Sequence, residues 1–233
     1  MSALKNVKVA LPTYDETIPS TKAKIAIHPF KVGDEKVLLM ASESKDPKQM
    51  TTSLKQVIRN CCDGVDPEKL TSFDLEYLFV KLRSISVGEI AEIGVKCSHC
   101  EVTNQIEVDL TKVKVDENPD HNRTIKINDQ LIFKMKYPDL DEIATVDGED
   151  VESLLGLICK SVETVFFGEE TINIGPAEID DLKGIIEQLS TRQFQQVQDF
   201  FSTSPKLLHD ISFQCGDCGQ QNNQTLEGLA SFF

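Results

Sequence analysis

Two short stretches carry the residues best suited to chemistry. One is Cys97-Ser98-His99-Cys100 and the other is Cys215-Gly216-Asp217-Cys218-Gly219. Each is a C-x-x-C, and together they supply the four thiolates that a tetrahedral zinc ion takes in a closed structural site. Two residues between cysteines let a tight turn aim both sulfurs, and nearby backbone N–H groups, at one ion. Gly219 suits such a turn because it relieves the backbone where an N–H approaches a sulfur. Glu101 takes the matching place after the first pair, so that knuckle is the less ideal of the two. Metal ligands are therefore expected at Cys97, Cys100, Cys215 and Cys218, with structural Zn2+ as the cofactor. A closed set of four sulfurs leaves the ion no open position, so it would stabilise the fold and hydrolyse nothing. A thioredoxin-like pair should open a helix after a strand, which neither stretch does.

The remaining candidates are ordinary. His99 sits inside the first turn, where an exposed place or a supporting role is expected. Cys61 and Cys62 are adjacent at a helix end and Cys159 is mid-helix, which suits buried thiols. His28, His121 and His209 have no partner at a recognisable spacing. No Walker loop, G-x-G-x-x-G, G-x-S-x-G or H-E-x-x-H occurs. The acidic stretch Asp139 to Glu152 lacks the ordering of a calcium loop. No catalytic and no cofactor-binding residues are assigned, and an enzyme is not expected.

The elements that must hold the two pairs are legible from periodicity. Glu89 to Val95 alternates into the first knuckle, and Ile106-Glu107-Val108-Asp109-Leu110 alternates out of it, so the first C-x-x-C is placed at the tip of a hairpin. Ile211-Ser212-Phe213 leads into the second knuckle, and Asn222 to Leu229 returns. Between Cys100 and Cys215 lie 114 residues. Within them, Val113-Lys114-Val115, Thr124 to Ile127 and Leu131 to Met135 read as strands, with a turn at Asn128-Asp129. Helices are expected over Val151 to Phe167, Glu178 to Leu189 and Arg192 to Phe201, with Thr171 to Ile174 as a short strand or connector.

Before the knuckles, Lys24 to His28 reads as a strand, Val32 to Glu35 as a turn, and Glu35 to Ser42 as the start of a helix or a buried strand. Asp46-Pro47-Lys48-Gln49 is a capped helix start, and Cys61-Cys62-Asp63-Gly64 ends that helix. Leu75, Leu78, Phe79 and Leu82 form one apolar stripe on a further helix.

The fold class expected is α+β, with zinc-ribbon-like β-hairpins brought together from residues 89–110 and 210–229 and helical segments inserted before and between them. The expected organisation is an extended N-terminal arm at 1–23, a strand plus helical region at 24–88, a zinc-ribbon/β region at 89–137 and 206–233, and a helical insertion at 138–205. The closing rings Phe232-Phe233 are expected to be exposed and to suit docking into a partner.

Composition bounds the partners. The chain has 233 residues and a formal net charge of −14, against a broad grip on nucleic acid. The longest apolar runs, such as Val37 to Ala41, are too short to span a bilayer, and the first residues lack the apolar segment of a signal peptide. Seven cysteines in a chain expected to reside in a cytosol suggest metal ligands and buried thiols before disulfides.

Two stretches carry a resemblance. His28-Pro29-Phe30-Lys31-Val32-Gly33-Asp34-Glu35-Lys36-Val37-Leu38-Leu39-Met40-Ala41 is one, and Phe73-Asp74-Leu75-Glu76-Tyr77-Leu78-Phe79-Val80-Lys81-Leu82-Arg83-Ser84-Ile85-Ser86-Val87-Gly88-Glu89, with Lys96-Cys97 after it, is the other. They resemble the T4-type bacteriophage baseplate hub assembly protein family of contractile-tailed phages. The resemblance implies a non-enzymatic role in building the central hub of the tail baseplate. It also implies contact with other hub proteins or the tape-measure protein, in the host cytoplasm during assembly or in the virion tail, as a resident subunit or a chaperone. It brings no catalytic residues with it. The rival readings are a zinc-ribbon adaptor of the transcription machinery and a thiol oxidoreductase using one C-x-x-C.

Overall fold

A computed structural model describes residues 9–144, 146 and 150–232. The first eight residues of the expected arm, Asp147, Gly148 and Glu149 of the acidic stretch, and Phe233 lie outside the described residues. The described residues form seven α-helices and eleven strands in small sheets, an α+β fold. The chain divides into two compact units. One comprises the residues up to Glu68, then 74–114 and 208 onward; the other comprises 69–73 and 115–207.

The first unit begins with β1 (Tyr14–Thr17) and β2 (Lys24–Ile27), an antiparallel hairpin in which Tyr14 faces Ile27. Part of the expected arm is therefore a strand. Its turn is closed by the Ile18 N–H on the Ala23 carbonyl and the Lys22 N–H on the Ile18 carbonyl, both at 2.9 Å, and Ile18 is buried. The Ser20 N–H and hydroxyl also bond to the fully buried Asp74 carboxylate, at 2.8 and 2.5 Å.

Helix α1 (Val32–Ser44) starts earlier than expected, because Val32 to Glu35 is its first turn and not a separate one. Buried Asp34 stabilises that turn by accepting from the Lys31 N–H at 3.0 Å and from Asn60 at 2.7 Å. Helix α2 (Pro47–Cys61) is capped by Asp46, whose carboxylate accepts the Lys48 N–H at 3.0 Å. The end of α2 docks on the hairpin through His28 N–H to Cys61 carbonyl and Asp63 N–H to Ala26 carbonyl bonds, both 2.9 Å. Helix α3 (Ser72–Ser86) buries Leu75, Leu78, Phe79 and Leu82, the stripe read from the sequence.

Two longer hairpins complete this unit. Strands β3 (Ile90–Lys96) and β4 (Thr103–Asp109) pair from Ile90↔Asp109 to Lys96↔Thr103. After β4 the chain continues through β5 (Lys114–Asp116) into the second unit. It returns through β10 (Lys206–Gln214) and β11 (Gln221–Glu227), paired from Leu208↔Glu227 to Gln214↔Gln221. A short 3-10 turn, Leu229–Phe232, follows. Phe232 is fully buried there, contrary to the expected exposed ring. The turn folds back against β11 and β3, and the ring's apolar area leaves water with it.

The second unit contains an antiparallel sheet as well as helices, and two of its strands, at Val162–Phe167 and Glu170–Asn173, fall within the stretch 138–205 read as a helical insertion. The sheet order is β6 (Thr124–Lys126), β7 (Leu131–Met135), β8 (Val162–Phe167), β9 (Glu170–Asn173). The turn between β6 and β7 is held by Asn128, whose Oδ1 accepts the Gln130 and Leu131 N–H groups at 2.8 and 2.9 Å. Helices α4 (Leu140–Ala144), α5 (Val151–Lys160), α6 (Ile179–Ile186) and α7 (Thr191–Thr203) accompany the sheet. The expected helix from Val151 to Phe167 is in fact α5 followed by β8. A bulge in the β7–β8 pairing sets Val162 opposite Met135 and Val165 opposite Phe133, so both face the core three residues apart, which mimics helical spacing. The β-branched run Val162, Thr164, Val165 then favours extension. The core here is Phe133, Met135, Ile158, Val162, Leu182, Val197 and Phe200 with their neighbours.

Candidate metal centre

Strand alternation carries the first cysteine inward. Ala91, Ile93 and Val95 are the buried positions of β3, and Cys97 continues their period of two. Cys215 likewise continues the face of Ile211 at the end of β10, and both are buried. Each hairpin then closes by the same turn. The Cys97 N–H donates to the Val102 carbonyl at 2.9 Å and the Glu101 N–H to the Cys97 carbonyl at 3.0 Å. The Cys215 N–H donates to the Gln220 carbonyl at 2.9 Å and the Gly219 N–H to the Cys215 carbonyl at 3.0 Å. Gly219 has φ +72°, and Glu101 is held in the same left-handed region at φ +62°. The two knuckles thus share one backbone geometry, and the first achieves it with a side chain that ordinarily resists it.

The structure brings the four expected ligands together. The sulfurs of Cys97, Cys100, Cys215 and Cys218 all lie within 4.8 Å of one another. Cys97 Sγ is 3.7 Å from Cys218 Sγ, and Cys100 Sγ is 3.7 Å from Cys215 Sγ. These are not disulfide distances, since a bonded pair sits at about 2.05 Å. They are close to the edge of a tetrahedron, about 3.8 Å, that four Zn–S bonds of about 2.3 Å would generate. The donor set therefore fits a four-coordinate ion.

The electrostatics divide the four. Backbone N–H groups of Cys218 and Asp217 pull the Cys215 thiol down to about 6. Burial opposes ionisation of Cys97, but the His99 and Cys100 N–H groups and Asn222 outweigh it and hold that thiol below its usual range. Cys100 receives the Val102 N–H, yet burial and the neighbouring sulfurs of Cys218, Cys215 and Cys97 push it up to about 12. Cys218 receives the Gln220 N–H but is likewise raised, by burial and by the sulfurs of Cys215 and Cys97. Four clustered sulfurs do not all ionise without a cation to balance them. A divalent ion would supply that balance.

The other cysteines and histidines stand apart from this cluster. Cys61 and Cys62 are buried in the first unit and pushed up to about 12, both by burial first, then Cys61 by Asp34 and Cys62 by Cys61 and Asp63. Cys159 is buried in the core of the second unit. The His99 side chain is exposed, and it is the His99 backbone N–H that reaches Cys97 Sγ, at 3.4 Å.

Two residues at the site escaped the sequence reading. Asn104 Oδ1 accepts the Gly216 N–H at 2.9 Å, and its Nδ2 reaches Cys215 Sγ at 3.5 Å. Asn222 Oδ1 accepts the Ser98 N–H at 2.9 Å, and its Nδ2 reaches Cys97 Sγ at 3.4 Å. The signal was present as a repeat longer than the cysteine pair. Both knuckles read C-x-x-C-x-x-x-N, from Cys97 to Asn104 and from Cys215 to Asn222.

A family model described as T4 bacteriophage base plate protein matches residues 11–233. The chain belongs to that family. The match takes in both knuckles, both units and nearly the whole sequence. No curated protein and no solved structure matches this base plate protein. Family membership gives it a structural role in a phage tail, among base plate partners. No helix among its described residues is long and apolar enough to cross a membrane.

Proposed function

We propose that this base plate protein is a non-enzymatic assembly factor of the central hub, built around a structural zinc ion held by Cys97, Cys100, Cys215 and Cys218. The observation that carries the metal reading is the tetrahedral spacing of four sulfurs from segments 115 positions apart in sequence. Zinc is favoured by the all-thiolate donor set and by four-coordination without a vacancy. The ion would neutralise the clustered thiolates and clasp the two hairpins of the first unit. Activity then resides in the surfaces that the clasp holds in shape. Their partners are other hub proteins and the tape-measure protein, met in the host cytoplasm during assembly.

Two measurements test this. Elemental analysis of protein purified under reducing conditions should give one zinc per chain, and its removal by strong chelation should lower the stability of the fold. Metal-free, folded protein that forms a reversible disulfide within one C-x-x-C would instead support thiol redox chemistry. Affinity capture from infected cells should recover hub or tape-measure components. Capture of host polymerase without any tail protein would overturn the hub assignment in favour of a transcription adaptor.

A further inference from the structure

The two hairpins that meet at the sulfur cluster belong to different sheets, β3 with β4 and β10 with β11. Ladder hydrogen bonds between β3–β4 and β10–β11 therefore do not set the register of one knuckle against the other. Side chains cross instead, and they cross with two-fold regularity. Asn104, on the first hairpin, reaches the sulfur of Cys215 and the N–H of the next residue, Gly216. Asn222, on the second, reaches the sulfur of Cys97 and the N–H of the next residue, Ser98. Each Asn also steadies its own turn through Nδ2, on the Val102 carbonyl at 3.0 Å and the Gln220 carbonyl at 3.1 Å respectively.

Only a side-chain amide can make this set of bonds. It offers an acceptor to the opposing backbone N–H and donors to the sulfur and to its own turn. Asp at the same length keeps the acceptor and loses both donors. Asn222 is only 1% exposed, and removing its amide would take the shared acceptor from the Ser98 N–H and hydroxyl and a donor from the Cys97 sulfur. Gln224 adds one more crossing bond, from Nε2 to the Lys96 carbonyl at 2.9 Å.

We propose that Asn104 and Asn222 are reciprocal positioning residues that hold the two knuckles in register and so pre-assemble the four sulfurs for a thiophilic divalent cation. The cation part rests on the zinc reading above; the register part does not. Groups that orient metal ligands in this way typically contribute about 10–100-fold in affinity.

The test uses the full chain and four variants, Asn104→Ala, Asn222→Ala, Asn222→Asp and Asn223→Ala, each checked for fold by circular dichroism. Asn223 neighbours Asn222 on β11 but is exposed and bonds to Ser212 Oγ, so its variant is the control. Two readouts are taken: cobalt(II) affinity from the thiolate charge-transfer absorption, and amide hydrogen exchange of the two knuckle turns, residues 97–104 and 215–222, in metal-free protein by mass spectrometry. The expected result is cobalt affinity about 10–100-fold weaker and faster exchange of the knuckle turns in the three site variants, with Asn223→Ala unchanged in both. Wild-type values for both readouts in folded Asn104→Ala and Asn222→Ala would overturn the proposal. A wild-type chain that takes up no cobalt, alongside faster exchange of the knuckle turns in Asn222→Ala, would sink the zinc reading and leave the positioning role standing. Should Asn222→Ala fail to fold, the half-buried Asn104→Ala and the Asp variant decide.

Discussion

Removing the proposed ion is the perturbation with the largest worked consequence. An ion held by Cys100 and Cys215 cross-links positions 115 residues apart. Treated as a cross-link that restricts the unfolded chain, a loop of that length contributes about 5 kcal/mol. For a chain of this size each kcal/mol moves the melting midpoint by about 2–4 °C, so chelation should lower it by roughly 10–20 °C. The loss should fall mainly on the first unit, because all four sulfurs belong to it. Thermal melts with and without a strong chelator, under reducing conditions, give the total. Hydrogen exchange read by mass spectrometry gives the distribution, with β3, β4, β10 and β11 losing protection before the β6–β9 sheet. A midpoint that stays within about 2 °C after the metal is shown to be gone would refute the cross-link reasoning. So would equal loss of protection in both sheets.

Three further outcomes are expected. Glu101→Gly should stabilise the first knuckle by up to about 1–2 kcal/mol in urea titration, since glycine adopts φ +62° without the clash that a Cβ brings. Phe232→Ala should cost about 3–5 kcal/mol in the same assay, as for a fully buried ring, whereas an exposed docking ring would cost almost nothing. Glu76→Gln should raise stability at neutral pH. Burial first, and the Glu227 charge with it, raise the Glu76 pKa against the favourable Leu229 N–H. The folded carboxyl therefore binds a proton at pH values where the unfolded one, with a pKa of about 4.3, has lost it. Wild-type stability gains as pH falls through the folded pKa toward that unfolded value. The Gln variant, uncharged throughout, should lack this part of the pH dependence, as parallel urea titrations across the acid range would show.

Much of the site was legible because its signals are local. A C-x-x-C and the alternation around it place sulfurs at hairpin tips without knowledge of the rest of the fold, and Leu75, Leu78, Phe79 and Leu82 announce a buried helical face in the same way. The misreadings share one physical cause, that tertiary context decides between local options of similar cost. Val162 and Val165 face one core three residues apart because the β7–β8 pairing carries a bulge, and that spacing is indistinguishable from a helix until the neighbours are known. Phe232 at the end of a chain reads as exposed until a turn folds it inward. Tyr14–Thr17 reads as an arm until Lys24–Ile27 is seen to pair with it. Glu101 reads as a poor substitute for glycine, yet the turn forms with it in the left-handed region. Asn104 and Asn222 were hidden differently: their partners lie 112 and 124 positions away, and only comparison of the two knuckles with each other exposes the repeat.

The split of the site across the chain has a consequence for order of assembly. Under the zinc reading, an ion that needs all four sulfurs cannot be fully gripped until Cys218 has been synthesised. By then residues 115–207, which hold a sheet and core of their own, have already been made. The first hairpin would wait with two thiols and with Asn104 lacking its opposite knuckle. The second hairpin then brings Cys215, Cys218 and Asn222 in a single stretch, together with Phe232 a few residues later. Closure of the clasp and burial of the chain's last described ring thus belong to one late step. On the assembly role proposed above, such an arrangement would withhold the surface from base plate partners until the chain is made, because a chain stopped short of Cys215 lacks two of the four sulfurs of the clasp.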